Sequence, residues 1–226
     1  VPAGLEEVEH EAAVELAVYV DADVEALLRQ AFPQVTSAAV APGWEERWRE
    51  FHRPVRAGGL WIGPPWEDAP ADQPSVVVDP GQAFGTGAHP TTRACVELLA
   101  GEPLGSVLDA GCGSGVVAVA AARLGHGPVI AVDSDPLAVD AARANAARNR
   151  VDVDVRRLDV LRDELPEAGL LVANIELGVV EALLPRCRAR RAITSGYLAH
   201  ERVRAAGWSA LRALELEGWT AELLAR

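Results

Sequence analysis

Three glycines at alternate positions, Gly111, Gly113 and Gly115, follow the apolar run Val107-Leu108-Asp109-Ala110 and precede VVAVAAARL, a stretch of helical composition. Glycine permits a sharp turn and lets a ligand lie against the backbone, while a helix start offers unpaired N–H groups. A cofactor is expected on this turn. Gly113-x-Gly115-x-x-Ala118 satisfies the dinucleotide spacing, and Asp133 lies twenty residues on, where a ribose acceptor would stand. Asp109 separates the options. A carboxylate beside the turn would repel a pyrophosphate but suits the ammonium and sulfonium end of S-adenosyl-L-methionine, so a methyl donor is the better fit. Asp133, closing the strand VIAVD, is placed to accept from both ribose hydroxyls. Asp135 reads as the cap of a helix opening at Pro136. Asp159 reads either as an adenine contact or as a loop turn residue.

A second block, DPGQAFGTGAHPTT over residues 79–92, precedes the glycine motif and ends where a helix should start. Its glycines imply a tight loop closely approached by a ligand. Thr91 or Thr92 can offer a hydroxyl and helix-start N–H groups to the cofactor carboxylate. His89 is read as a structural hydrogen-bonding residue of the loop rather than a base. Asn174, in LLVANIEL, closes an apolar strand at the end where ligands sit in open α/β sheets. Its side-chain carbonyl can accept from, and so orient, an incoming amine.

These residues need a scaffold of alternating strands and helices. Apolar strands are predicted at residues 76–79, 106–110, 129–133, 153–157, 170–174 and 192–195, with helices at 91–100, 115–124, 136–149, 178–186 and 198–206. That order is the α/β doubly wound plan, a Rossmann-like and mostly parallel sheet. The last segment has two β-compatible runs about Glu217-Gly218, which predicts a closing hairpin. At the front, residues 13–20 are β-prone, 22–31 have helical spacing and 35–40 read as another strand, a small α+β fragment of βαβ type. A Trp-rich connector follows, with a helix expected over WEERWREF and an irregular stretch containing Trp61 and Trp66. The organisation expected is therefore residues 1–42 as a partial α+β domain, 43–73 as interdomain helix and linker, and 74–226 as the Rossmann-like domain.

The formal charge of −12 argues against sequence-independent nucleic-acid binding and is more compatible with a basic protein partner. The first fifty residues hold eleven Asp/Glu against three Arg, a balance of 3 − 11 = −8. Three widely spaced cysteines, Cys95, Cys112 and Cys187, form no CxxC pair, so they read as reduced thiols and no metal centre is expected. No apolar run of spanning length appears and the acidic start does not read as a secretory signal, which points to the cytoplasm and no membrane.

The blocks DPGQAFGTGAHPTT, VLDAGCGSG, VDSDP and VANI, in that order and spacing, resemble the PrmA family, methyltransferases of the large-subunit ribosomal protein L11. GWEERWREFHRPV resembles that family's interdomain helix, and the likeness runs over residues 44–226. It implies a class I S-adenosyl-L-methionine-dependent protein N-methyltransferase acting on lysine side chains or an α-amine. Thr92, Gly111, Asp133 and Asn174 are the cofactor contacts it implies, beside Asp109 and Gly113 from the residue reading, with Asn174 as the catalytic group. The family opens with a ferredoxin-like recognition domain, and the residues before Trp44 suffice for its last βαβ alone. Rival readings are a methyltransferase acting on another protein lysine or a small molecule, an NAD-binding oxidoreductase, and a non-catalytic cofactor-binding module.

Overall fold

The computed structural model describes residues 5–10, 13–18, 22–32, 34–37, 53–79 and 85–226. The chain divides into two compact units, Val1–Trp48 and Arg49–Arg226. The expected WEERWREF helix lies outside the described residues.

In the first unit β1 (Leu5–His10) pairs antiparallel with β2 (Ala13–Val18), from Leu5↔Val18 to His10↔Ala13. Helix α1 (Ala22–Ala31) follows, with Arg29 ion-paired to Glu25 one turn earlier at 2.9 Å. The unit thus opens with a hairpin, where the sequence predicted a strand only from residue 13. LEEVEH alternates poorly and carries charge, so its β character was hidden. The strand expected at 35–40 is not formed over 35–37, and 38–40 lie outside the described residues. There Val35 N–H returns to the Phe32 carbonyl at 3.0 Å and the Ser37 hydroxyl donates to Glu25 at 2.6 Å, which turns the chain back onto α1.

The second unit begins with a small sheet, β3 (Val55–Ala57) antiparallel to β4 (Leu60–Gly63), which is parallel to β5 (Ser75–Val77). Ala57, Leu60, Ile62, Val76 and Val78 are buried in the main core, so the Trp61 region is structural sheet as well as connection. After α2 (Pro90–Ala100) come β6 (Val107–Ala110), α3 (Val116–Arg123), β7 (Val129–Asp133), α4 (Pro136–Asn149), β8 (Asp154–Arg157), β9 (Leu170–Asn174), α5 (Leu177–Leu183), β10 (Arg191–Leu198), β11 (Ser209–Leu216) and β12 (Trp219–Ala225). The main sheet runs β11-β12-β10-β9-β6-β7-β8, parallel from β10 to β8, with β12 antiparallel between β10 and β11. Glu217 and Gly218, both at positive φ, make the tight turn of the predicted hairpin. Strand residues alternate between two cores: Val107 packs with α2, α3 and α4, whereas Leu108 and Ala110 pack with α5. The chain winds outward from β6 to β8, then crosses to β9 on the other side of β6. That reversal opens a crevice at the carboxyl ends of β6 and β9. Among the described residues no helix is long and apolar enough to cross a membrane.

Two expectations need correction. VVVD is not a strand of the main sheet; β5 is held against α4 instead, where the Asn149 carboxamide accepts from Val77 N–H at 2.8 Å and donates to Val77 C=O at 2.7 Å. A side chain thereby replaces a strand neighbour. The helix predicted over 198–206 is absent, because β10 runs on to Leu198 and carboxylates take the following N–H groups. Glu201 accepts from Leu198 at 2.7 Å, Glu222 from Val203 at 3.0 Å and Glu181 from Arg204 at 2.7 Å.

One turn before Asn149, fully buried Asn145 accepts from Asp79 N–H at 3.0 Å and donates to the carbonyls of Asp79 and Ser114, each at 2.9 Å. Asn145→Ala leaves those three backbone groups without this partner and should cost about 2–3 kcal/mol, the scale of buried unsatisfied groups. Urea denaturation should show a lower midpoint with an unchanged slope. A midpoint equal to that of the parent chain would refute the structural weight given to this amide.

Candidate functional site at the carboxyl edge of the sheet

Asp109 lies at 2% exposure on the face of β6 that meets α3, and its Oδ2 accepts from Ala118 N–H at 3.0 Å. Gly115, the N-cap of α3, has no side chain to serve that first turn. Asp109 therefore caps the helix from the strand, giving the glycine turn a fixed exit. Burial pushes its carboxyl up to about 7, against the lowering effect of the Ala118 N–H and with a further raise from Asp133.

The turn closes on its neighbours through backbone bonds, with Gly111 and Cys112 N–H both donating to the Val132 carbonyl at 2.8 and 3.0 Å. Gly111 sits at φ +74°, and a Cβ there would fall 2.4 Å from Ile175 Cγ2. No residue with a side chain fits between the turn and the end of β9. Asp133, partly exposed at the end of β7, accepts from Gly113 N–H at 2.9 Å through Oδ2 and from Asp135 N–H at 3.0 Å through Oδ1. One carboxylate thus ties the glycine turn to the loop entering α4. Asp135 caps α4 by accepting from Leu137 N–H at 2.9 Å, as read from the sequence. Asp159 accepts from Leu161 N–H at 2.9 Å and pairs with Arg162 at 3.4 Å, the behaviour of a turn residue.

Of the second block, residues 80–84 lie outside the described ones. Gly85 accepts from the Ser114 hydroxyl at 2.5 Å, which seats the loop on the glycine turn. His89 is the N-cap of α2: its Nδ1 accepts from Thr91 N–H at 3.3 Å and lies 2.7 Å from Thr91 Oγ1. The ring packs edge-on against Trp219 with centroids 5.0 Å apart. Burial holds this imidazole below its ordinary range, Glu217 partly opposing and Arg93 assisting. A neutral ring accepting from the backbone is the structural role expected of it. Arg93 pairs with Glu217 at 2.5 Å, so the tip of the hairpin props the start of α2.

Across the crevice, Asn174 Nδ2 donates to Thr92 Oγ1 at 3.4 Å, and Thr92 is buried. That bond orients the carboxamide and leaves Oδ1 without a protein partner among the described residues. The structure thus gathers Gly111, Gly113, Asp133, Thr92 and Asn174 at one edge of the sheet, with Asp109 buried in the core behind it. The sequence reading did not single out Ser114, Asn145 or Asn149. The signal of the two asparagines was present in ARANAARN, where two amides one turn apart interrupt an alanine face. Cys112, in the turn itself, is a buried thiol whose pKa is raised by burial and by Asp109 and Asp133, so it stays protonated.

Residues 7–221 match the family model described as ribosomal protein L11 methyltransferase (PrmA). The ribosomal protein L11 methyltransferase of Symbiobacterium thermophilum is 42% identical over 196 residues, covering 80% of this chain and 64% of that protein. That of Pelotomaculum thermopropionicum is 48% identical over 149 residues, covering 63% of this chain and 48% of that protein. The chain therefore spans about half to just under two-thirds of the length of these curated relatives. A crystal structure of a ribosomal protein L11 methylase from Lactobacillus delbrueckii subsp. bulgaricus superposes with a TM-score of 0.68 at 27% identity, covering 77% of this chain and 99% of that one. The α/β fold is the Rossmann-like class I methyltransferase fold expected from the sequence.

The raised carboxyl of Asp109 has a consequence for stability. In the unfolded chain it ionises near 3.8 and in the folded one near 7, so the folded state binds the extra proton between those values. Its contribution to stability is complete below about pH 4 and is lost as pH rises through about 7. Asp109→Asn should flatten that part of the stability-against-pH curve, measured by chemical denaturation at pH 5 to 8. Parallel curves for the two proteins would show that Asp109 is not the group that titrates.

Proposed function

Since the chain belongs to the ribosomal protein L11 methyltransferase (PrmA) family, we propose that it transfers methyl from S-adenosyl-L-methionine to amino nitrogen of a large-subunit ribosomal protein, on lysine side chains or an α-amine. One observation carries the reading: the Asn174 carboxamide, oriented by Thr92, ends its strand at the same sheet edge as the Gly111–Gly113 turn and Asp133. The residues fit that cofactor. The Gly111 turn presents backbone alone, and the nearby carboxylates favour a cation over a pyrophosphate. Asp133 would hold the ribose, Gly111 and Gly113 the backbone side of the ligand, and Thr92 with the start of α2 the carboxylate. Asp109, buried behind the crevice, holds the start of the helix that follows the turn. When bound, the cofactor supplies an electrophilic methyl on a sulfonium.

The protein's own part is orientation. Asn174 Oδ1 accepts from an acceptor N–H and aims the nitrogen lone pair, and holding reactants in line is a major source of rate. A lysine amine has an ordinary pKa of about 10.4, so desolvation in the crevice favours its neutral form and the proton passes to water. The acidic front segment, residues 1–42 in the expected organisation, suits recruitment of a basic ribosomal protein in the cytoplasm through a balance of −8 over the first fifty residues.

The decisive assay is transfer of labelled methyl to purified ribosomal protein, with titration against NAD as a control on cofactor class. Asp133→Ala should weaken S-adenosyl-L-methionine binding by about 1.5–3 kcal/mol, the scale of hydrogen bonds to a charged group. Calorimetry on the folded variant reads this, and unchanged affinity removes Asp133 from the ribose. Asn174→Ala should lower the transfer rate by a larger factor than it lowers cofactor affinity, since the contact is used in the transition state. Equal losses would reduce Asn174 to a binding residue.

A further inference from the structure

Asn174 ends β9, and where the next peptide lies is decided on β10. Asn174 is in register with Ser195, and Ile175 N–H donates to the Ser195 carbonyl at 3.0 Å. The pairing of β10 with β12 shifts between Ser195 and Tyr197, so Gly196 is the residue of a bulge. It sits at φ +100°, and a Cβ there would fall 2.3 Å from the Ile175 carbonyl oxygen, 2.7 Å from its carbon and 2.8 Å from its nitrogen. All three are backbone atoms, which no side-chain rotation relieves. The bulge is pinned on both sides. Before it, the Ser195 hydroxyl donates to Thr220 C=O at 2.6 Å; after it, the buried Tyr197 hydroxyl meets Thr194 Oγ1 at 2.8 Å and donates to Glu222 at 3.1 Å. From the other side the Ile175 side chain fills the space a Cβ on Gly111 would need. The turn carrying Asn174 is therefore clamped between two positive-φ glycines, one on the cofactor turn and one on β10.

We infer that Gly196 is a positioning residue for methyl transfer: its bulge sets the place of the Asn174–Ile175 peptide and, through it, the aim of the Asn174 carboxamide. This rests on the reading of Asn174 as the group that orients the acceptor. In this role Gly196 acts through the Asn174–Ile175 peptide. Its effect should therefore fall on the rate of transfer, leaving cofactor affinity nearly intact.

The chain contains three asparagines, Asn145, Asn149 and Asn174, so selective 15N-asparagine labelling yields three side-chain amide signals. The Asn145 and Asn149 signals report the α4–β5 bonds and hence the fold; the third reports the site. Gly196→Ala should move the Asn174 signal alone, lower kcat at least tenfold, and change KM and S-adenosyl-L-methionine affinity less than threefold. Ser195→Ala, which loosens the bulge with no added atoms, should give the same pattern more weakly, and it decides the matter if Gly196→Ala does not fold. An unmoved Asn174 signal in a folded variant overturns the inference, as does a loss of cofactor affinity equal to the loss in kcat. Failure of the parent chain to methylate ribosomal protein would sink the functional reading instead, and the amide signals would still judge the positioning claim.

Discussion

The amide of Asn145 joins three stretches that are far apart in sequence. It pairs with both backbone groups of Asp79 and with the carbonyl of Ser114, while the backbone carbonyl of Asn145 receives the Asn149 side chain at 2.8 Å. On either side of residues 80–84 the loop block is held, Asp79 by this amide and Gly85 by the Ser114 hydroxyl. This amide gives the loop and the glycine turn a common anchor on α4. A buried carboxamide is costly unless fully paired, and here pairing with backbone makes it specific to one arrangement.

The parallel sheet turns that arrangement into a site. Every strand from β10 to β8 ends at the same edge, so residues that close a strand become neighbours whatever their separation in the chain. Asp133 and Asn174 meet on those terms, one from β7 and the other from β9. Asp109 reaches its position by the pleat: two residues after Val107, it shares that side chain's buried face and so caps α3 rather than lining the crevice.

Much of this was legible in the chain itself. VIAVD, LLVAN and the α4 span coincide with the observed elements, since short apolar runs bounded by charged or turn residues leave little freedom of register. Glu217-Gly218 announced its hairpin by composition. What could not be read depends on distant partners. The 198–206 stretch has helical composition, but its N–H groups are claimed by Glu181, Glu201 and Glu222, and local pattern carries no sign of that competition. VVVD has strand composition, but its neighbours, β4 and the Asn149 carboxamide, are seen only in the fold. Gly196 lies just beyond the predicted strand at 192–195, and nothing local announces its approach to the Ile175 backbone.

The hairpin has a bearing on how the protein comes into being. Arg93 and Glu217 are 124 residues apart, and His89 leans on Trp219, so the start of α2 waits for contacts made near the end of the sequence. Contacts of such separation close late, because the loop entropy is spent before they repay it. A nascent chain leaving the ribosome can assemble β6, β7 and β8 with their helices as they emerge, since each neighbour follows soon after the last. The seat of Thr92 and the backing of Asn174 must wait for β12, which ends at Ala225. Synthesis thus delivers the glycine turn and Asp133 before the segments that seat Thr92 and back Asn174.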